Sequence, residues 1–245
     1  MRLESFITSQ NWTGRQPVIV AGLVTLVFTL VARWLRGVTF SGAVAGAVVC
    51  FAIYISAGPR AVAILALVFA LTWVSTRFGE SRKNSRGTAE DRQGRTASQV
   101  LANLAVSAVC AVASFATGHT VFLLGTVAAL AEATGDTVSS ELGRAHSELA
   151  RLITTWKTVK SGTSGGVSGI GTVSGVAAAL LIGVAAVGVG LLPGEWLGIS
   201  AVAATVGMIA DSVLGATLES RGLLNNNWVN LIGTLISAMV AMAMA

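Results

Sequence analysis

Eight apolar stretches, most of them long enough to cross a hydrocarbon layer, succeed one another along this chain and leave it little choice of architecture. They occupy residues 17–35, 38–57, 60–76, 98–116, 120–133, 167–192, 196–210 and 228–245. A helix of about 20 apolar residues spans a bilayer and satisfies every backbone N–H and C=O within itself. The pattern predicts an all-α, polytopic membrane protein of about eight transmembrane helices, forming a single integral membrane domain over 1–245. The proportions agree, since 53% of residues are hydrophobic and only 11% are charged, far from soluble usage. The 28 glycines suit helices that approach closely in lipid. Cys50 and Cys110 lie inside apolar stretches and read as small buried hydrophobes rather than a disulfide pair. The fifth and seventh stretches are short, and each runs into an acidic motif. That pattern predicts helices that end inside a protein-lined cavity rather than in lipid.

Threading eight spans puts all but three of the 16 Lys and Arg residues on connections at one face, the exceptions being Arg2, Arg15 and Arg60. Cytoplasmic connections carry the excess of Lys and Arg, so that face is expected in the cytoplasm and both termini on the other side. A basic loop (77–97) and a Gly-rich loop (143–166) then fall on the cytoplasmic face of the membrane, which is the plasma or inner membrane if the source is bacterial. Topology accounts for the net charge of +5, because the cations are scattered over short loops. No nucleic-acid partner is expected, since such a partner calls for one continuous basic face.

Carboxylates next to hydrocarbon are costly unless paired, hydrated or metal-bound, so those that occur point to function. Two motifs carry them, GDTVSSELG (135–143) and ADSVLGATLE (210–219). Asp136 and Asp211, from different spans, are the leading candidates. Hard oxygen ligands of this kind suit Mg2+, which takes one or two carboxylates and completes its shell with water and substrate phosphates. Glu132 lies one helical turn before Asp136, whereas Glu141 points well away from Asp136 on an unbroken helix. Ordinary interfacial acids paired with Arg144 or Arg151 are the alternative reading, and Glu132 and Glu219 fit it best.

Between the motifs, Gly162, Thr163, Ser164, Gly165 and Gly166 make a loop whose backbone N–H groups can surround phosphate oxygens. A helix expected from Val167 onward adds its positive end, and Lys157 and Lys160 add point charges. The spacing is not that of a Walker loop, and a Gly/Ser turn with no ligand is the plainer reading. In the basic loop, Arg92 or Arg95 can guide a lipid phosphate, or the whole loop can simply be solvated at an anionic leaflet. Asn103 and Asn230 sit inside spans, as helix–helix glue or as substrate contacts. His119 and His146 have no partner at catalytic or metal-ligand spacing.

At GDTVSSELG (135–143), LITTWKTVKSGTSGGVS (152–168), ADSVLGAT (210–217) and NNNWVN (225–230) the chain resembles the membrane family catalogued as domain of unknown function 92. That family includes transmembrane protein 19 of animals and the phytyl-phosphate kinase of plant vitamin E synthesis. A more distant likeness is to CTP-dependent polyprenol and dolichol kinases. The resemblance covers the second half of the chain and extends to Asp136, Ser140, Glu141, Lys157, Gly162, Thr163, Asp211, Asn226 and Asn230. It does not extend to Glu132 or Glu219, and Lys160 stands where relatives tend to have proline. It implies an enzyme, a Mg2+-dependent isoprenoid phosphate kinase in the lipid bilayer. Such an enzyme moves the γ-phosphate of CTP or another nucleoside triphosphate to phytyl or geranylgeranyl phosphate. Asp136, Glu141 and Asp211 would hold Mg2+, and Lys157, Lys160, Ser140 and the 162–166 loop would hold the nucleotide. Arg95, Asn103, Asn226 and Asn230 would hold the lipid phosphate. The alternatives are a prenol kinase, a cytidylyltransferase acting on a lipid phosphate, and a lipid or ion transporter. A transporter would place its acids near the midplane, whereas these cluster toward one face.

Overall fold

The computed structural model describes residues 15–85 and 94–245. Six helices are long and apolar enough to cross a membrane, and a shorter apolar helix precedes them. In chain order the helices are α1 (Arg15–Trp34), α2 (Phe40–Arg77), α3 (Glu80–Ser85), α4 (Ala97–Thr117), α5 (Val121–His146), α6 (Gly169–Gly188), α7 (Leu197–Leu214) and α8 (Asn226–Met244). Three short strands, β1 (Leu149–Leu152), β2 (Thr158–Lys160) and β3 (Gly166–Val167), separate α5 from α6. Outward faces carry exposed Val, Leu and Ile, as along α1 at Ile19, Leu23, Val27 and Leu30. Such a continuous apolar surface belongs against lipid.

α2 is a hairpin rather than a rod. Straight, its 38 residues would reach about 57 Å, nearly twice the hydrocarbon thickness. Gly58 breaks it at φ 77° and ψ −176°, directly before Pro59, where proline forbids the helical conformation of its predecessor. Both ends of α2 then meet the same connection between α1 and α2. Trp73 Nε1 and Arg77 Nη2 donate to Leu35 O at 3.0 and 2.8 Å, while Thr39 caps the first arm by accepting from Gly42 N. At the turn, Arg60 donates to Gly190 O beyond the far end of α6. The arms 40–57 and 60–77 restore the eight apolar spans expected from hydropathy.

α5 is the central helix. In its apolar window 78% of residues are buried against protein, compared with 28–44% in the other long helices. It packs against α2, α4, α6, α7 and α8. Small residues permit the close approach that association in lipid depends on. A Cβ on Gly135 would fall 2.9 Å from Gly175 O of α6, and one on Gly175 would fall 2.6 Å from Gly135 O. Ser237 of α8 donates across the interface to Ala128 O at 2.9 Å.

Three expectations change. The fifth span does not stop near Ala133, because α5 runs unbroken through GDTVSSELG to His146. α7 likewise carries Asp211 inside the helix and continues as a π-helical turn, Gly215–Glu219. Hydropathy marks where apolar side chains stop, whereas backbone hydrogen bonding carries each helix on, so the acids line helix walls instead of capping helix ends. The Gly-rich segment is a small antiparallel sheet of order β2-β1-β3, with Leu149 opposite Lys160 and Leu152 opposite Gly166. Gly162 and Gly165 serve its turns at φ 90° and 75°. Glu90, Asp91 and Arg92 lie outside the described residues.

Candidate functional site

A polar cavity of about 110 Å³ opens between α4, α5 and α8. Each helix presents residues four apart, which share one face. α4 gives Gln99 and Asn103, α5 gives Asp136 and Ser140, and α8 gives Asn226 and Asn230. Arg95 reaches in from the connection before α4, and Thr137, Glu141 and Arg144 complete the wall. Seven residues singled out from sequence thus meet in one place. Arg95 is fixed there by backbone pairing. Arg95 N donates to Gly37 O and Thr39 N donates to Arg95 O, both at 3.0 Å, and the guanidinium donates to Thr137 Oγ1 at 3.2 Å. Gly94, at φ 86°, lies against the backbone of residues 36–38, where a Cβ would fall 2.6 Å from Val38 N. At the α8 end, Asn225 caps the helix by accepting from Trp228 N, which leaves Asn226 and Asn230 to the cavity.

Asp211 does not line this cavity. It stands behind it on α7, close enough to Asp136 and Glu219 for their charges to act on one another. Its Oδ2 is buried and, among the described residues, without a hydrogen-bond partner. Glu132, which the sequence favours as an ordinary interfacial acid, is 1% exposed and is not paired with Arg144 or Arg151. Two glycines make its room. A Cβ on Gly207 of α7 would fall 2.6 Å from Glu132 Cγ, and one on Gly233 of α8 would fall 2.6 Å from its Oε1 and 3.4 Å from Asp211 Cβ. Glu132 Oε1 is also buried and, among the described residues, without a hydrogen-bond partner. Glu132 and Asp211 therefore converge on Gly233, each presenting an unsatisfied oxygen, an arrangement that is costly unless something completes it.

Glu141 is placed as the geometry of an unbroken helix suggests, and otherwise than the family resemblance implies. α5 is unbroken, so Glu141 turns toward the short helix α3, where Lys83 donates to its Oε2. Arg144 donates to Oε1 at 2.7 Å. Lys83 and Glu141 are both buried, and Lys83 also donates to Thr76 O at the end of α2. With both oxygens engaged by cations, Glu141 ties α5 to α3 and positions the wall; it is not placed as a metal ligand.

Lys157, Lys160 and the 162–166 turn also stand apart from the cavity. Both lysines are exposed. The glycine that matters most is Gly165, whose added Cβ would collide with the backbone of Ala216 in the π-helical turn that follows Asp211. The turn thus docks the sheet onto the end of α7. The first turn of α6 is satisfied locally, with Ser168 Oγ accepting from Gly171 N at 3.2 Å. Gly165→Ala adds both left-handed strain and a backbone collision, each costing on the order of 1–3 kcal/mol. It is expected to undock the sheet and to make residues 149–167 several-fold more susceptible to limited proteolysis in detergent.

Among the described residues no three His, Cys, Asp or Glu side chains come close enough to hold a metal ion by themselves. Mg2+ does not require that, since it is usually shared between one or two carboxylates and substrate phosphates. Asp136 and Asp211 supply hard oxygens of the right kind, and the partnerless Oδ2 of Asp211 fits such an ion.

Fold and site together define a polytopic helical membrane protein with a carboxylate-bearing polar cavity at one end of its bundle. The chain belongs to the integral membrane protein family DUF92, whose profile matches residues 23–238. It is 31% identical over 167 residues to an uncharacterized membrane protein of Methanocaldococcus jannaschii, covering 68% of this chain and 69% of that one. It is 36% identical over 145 residues to an uncharacterized membrane protein of Synechocystis, covering 57% and 56%. It is 32% identical over 170 residues to Protein VTE6, chloroplastic, of Arabidopsis thaliana, covering 66% of this chain but 50% of that protein. The chain thus spans between half and about two thirds of the length of these relatives. No solved structure matches it.

Proposed function

We propose that the protein is a membrane lipid kinase that moves the γ-phosphate of CTP or another nucleoside triphosphate to an isoprenoid alcohol monophosphate, giving the diphosphate. The observation that carries this reading is the meeting of Arg95, Asn103, Asn226 and Asn230 with Asp136 in one cavity, with Asp211 behind it. Guanidinium and amide N–H groups suit a lipid phosphate, and the acids suit the metal that accompanies a triphosphate. Membership of the family to which the plant phytyl-phosphate kinase is assigned favours the isoprenoid class.

In the reaction, an oxygen of the lipid phosphate attacks the γ-phosphorus, the bond to the β,γ-bridging oxygen breaks, and the nucleoside diphosphate leaves. The nucleophile is already ionised at neutral pH, so no general base is needed, in keeping with a cavity that holds no histidine among its described residues. Mg2+ held by Asp136 and Asp211 would neutralise charge on the transferring phosphoryl group. Arg95 and the asparagines orient the acceptor. Lys157, Lys160 and the turn at 162–166, whose Gly165 docks on the π-helical turn that follows Asp211, are proposed to receive the distal part of the nucleotide. The cation-rich end of the bundle, where Arg36, Arg77, Arg95 and Arg144 gather, is assigned to the cytoplasm, where the nucleotide is available.

Purified protein incubated with labelled nucleotide, Mg2+ and a panel of prenyl phosphates tests the reading. Nucleoside diphosphate together with a prenyl diphosphate is the expected outcome. Pyrophosphate with a nucleotide-linked lipid, phosphorylation of free prenol alone, or no nucleotide turnover overturns it.

A further inference from the structure

A second cavity, of about 310 Å³, lies beside the polar one, between α1, both arms of α2, and α4. The two share Arg95 and Asn103 in their walls. Its volume falls in the range of sites that enclose a small organic molecule, and its lining is graded. The rim carries Arg36, Arg77 and Glu80 beside Arg95, while the walls beyond are Phe28, Leu65, Val68, Phe69 and Leu104. From Thr76 at the rim to Leu65 the returning arm of α2 provides about 16 Å of helix wall. The facing arm contributes only Gly42, Ala43 and Gly46, and this absence of side-chain bulk opens the space. The rim is held in an unfavourable backbone conformation, with Arg36 at φ 54°, beside the Val38–Arg95 pairing.

We propose that this chamber holds the hydrocarbon chain of the lipid phosphate, with Arg95 and Asn103 fixing its phosphate at the wall shared with the polar cavity. The assignment rests on the lipid-phosphate reading of the polar site and adds the place of the chain and what limits its length. Charge complementarity selects the occupant. An anionic head belongs at the arginine rim, and one unbranched or methyl-branched chain fits a single apolar chamber walled by protein. Ala133 of α5 also lines the chamber, one helical turn before Asp136 and Thr137, so a chain seated there presents its head toward the acidic face of α5. The first three spans thereby acquire a role that their apolar sequence alone does not reveal.

Gly46 provides the test, because a Cβ there would meet nothing within 4 Å and a larger side chain can enter without displacing backbone. Full-length protein in detergent is photolabelled with geranyl, farnesyl and geranylgeranyl phosphates carrying a diazirine at the chain end, and the adducts are mapped by mass spectrometry. Adducts are expected at Leu65, Val68 and Phe69, with protection by excess unlabelled prenyl phosphate but not by inorganic phosphate. Gly46→Phe is expected to cut geranylgeranyl labelling at least tenfold while retaining geranyl labelling. Phe28→Ala, which enlarges the chamber, is expected to shift preference toward the longer chain. These shifts have opposite signs, so a folding defect cannot imitate the pair, and Phe28→Ala decides the matter if Gly46→Phe does not fold. Adducts confined to lipid-facing residues such as Val44 and Val48, no adducts, or chain-length preference unmoved by a folded variant would overturn the proposal. Chain-end labelling of the chamber without any nucleotide-dependent product leaves the chamber standing and removes the kinase reading.

Discussion

Asp136→Asn and Asp211→Asn are each expected to lower phosphoryl transfer by at least about 10²–10³-fold, the scale on which removal of a single group stabilising transition-state charge is felt. Asparagine keeps the shape of aspartate but replaces one acceptor oxygen by an NH2 donor and removes the charge that would hold the metal. Both residues stand within continuous helix, so the variants are expected to elute as folded protein with thermal midpoints close to the parent. Removing a carboxylate from a crowded acidic pair relieves repulsion, and a small gain in stability is consistent with the reading. The contrast is Glu219→Gln on the π-helical turn, expected to retain more than half of the activity because it lies beyond the cavity. Labelled nucleotide turnover in matched detergent, measured across a Mg2+ titration, is the readout. Parent-like turnover in either aspartate variant at saturating Mg2+ would remove both residues from the metal role.

The eight spans were readable because apolar length and a bilayer's thickness are tied by simple geometry. Even the hairpin in α2 was marked, by Gly58-Pro59. Helix ends were not readable in the same way. Apolar residues give out near Ala133, yet α5 continues to His146 because the motif beyond faces α6 and α8, not lipid. That one misjudged boundary has consequences. It made Asp136 the residue after a helix and Glu132 an interfacial acid, when both are wall residues of the central helix and Glu132 is among its most buried. The signal for Glu132 lay elsewhere in the chain, in Gly207 and Gly233, two positions without side chains on the helices that face it. Within the cavity, the four-residue spacing of Asn226 and Asn230 and of Asp136 and Ser140 places each pair on one helix face. That Arg95 and Asn103 join them depends on the pairing of residues 37–39 with residue 95, a contact between segments more than 50 residues apart. The Gly-rich turn is ambiguous for a different reason. Positive φ at Gly165 is compatible with cradling an anion, but the same freedom serves close approach of two backbones, and Ala216 is what it approaches.

Glu141→Gln is expected to act on stability first and on activity second. The carboxylate sits between Lys83 and Arg144 with almost no access to solvent, and neutralising it removes the charge that Glu141 sets against the buried Lys83 ammonium. Breaking a buried pair from one side costs about 3–5 kcal/mol, which for a chain of this size corresponds to a fall in thermal midpoint on the order of 10 °C. Lys83→Met is expected to cost less, since Glu141 keeps its bond from Arg144 at 2.7 Å. Because Lys83 and Glu141 are in direct contact, their effects are coupled, and the double variant is expected to be more stable than the sum of the single effects allows. Activity per folded molecule in Glu141→Gln should fall less than in Asp136→Asn, since Glu141 positions the cavity wall through Arg144 without holding metal. The opposite pattern would be equally informative. A parent-like midpoint combined with complete loss of turnover, rescued in part by raised Mg2+, would return Glu141 to the metal site that its place in the GDTVSSELG motif suggests.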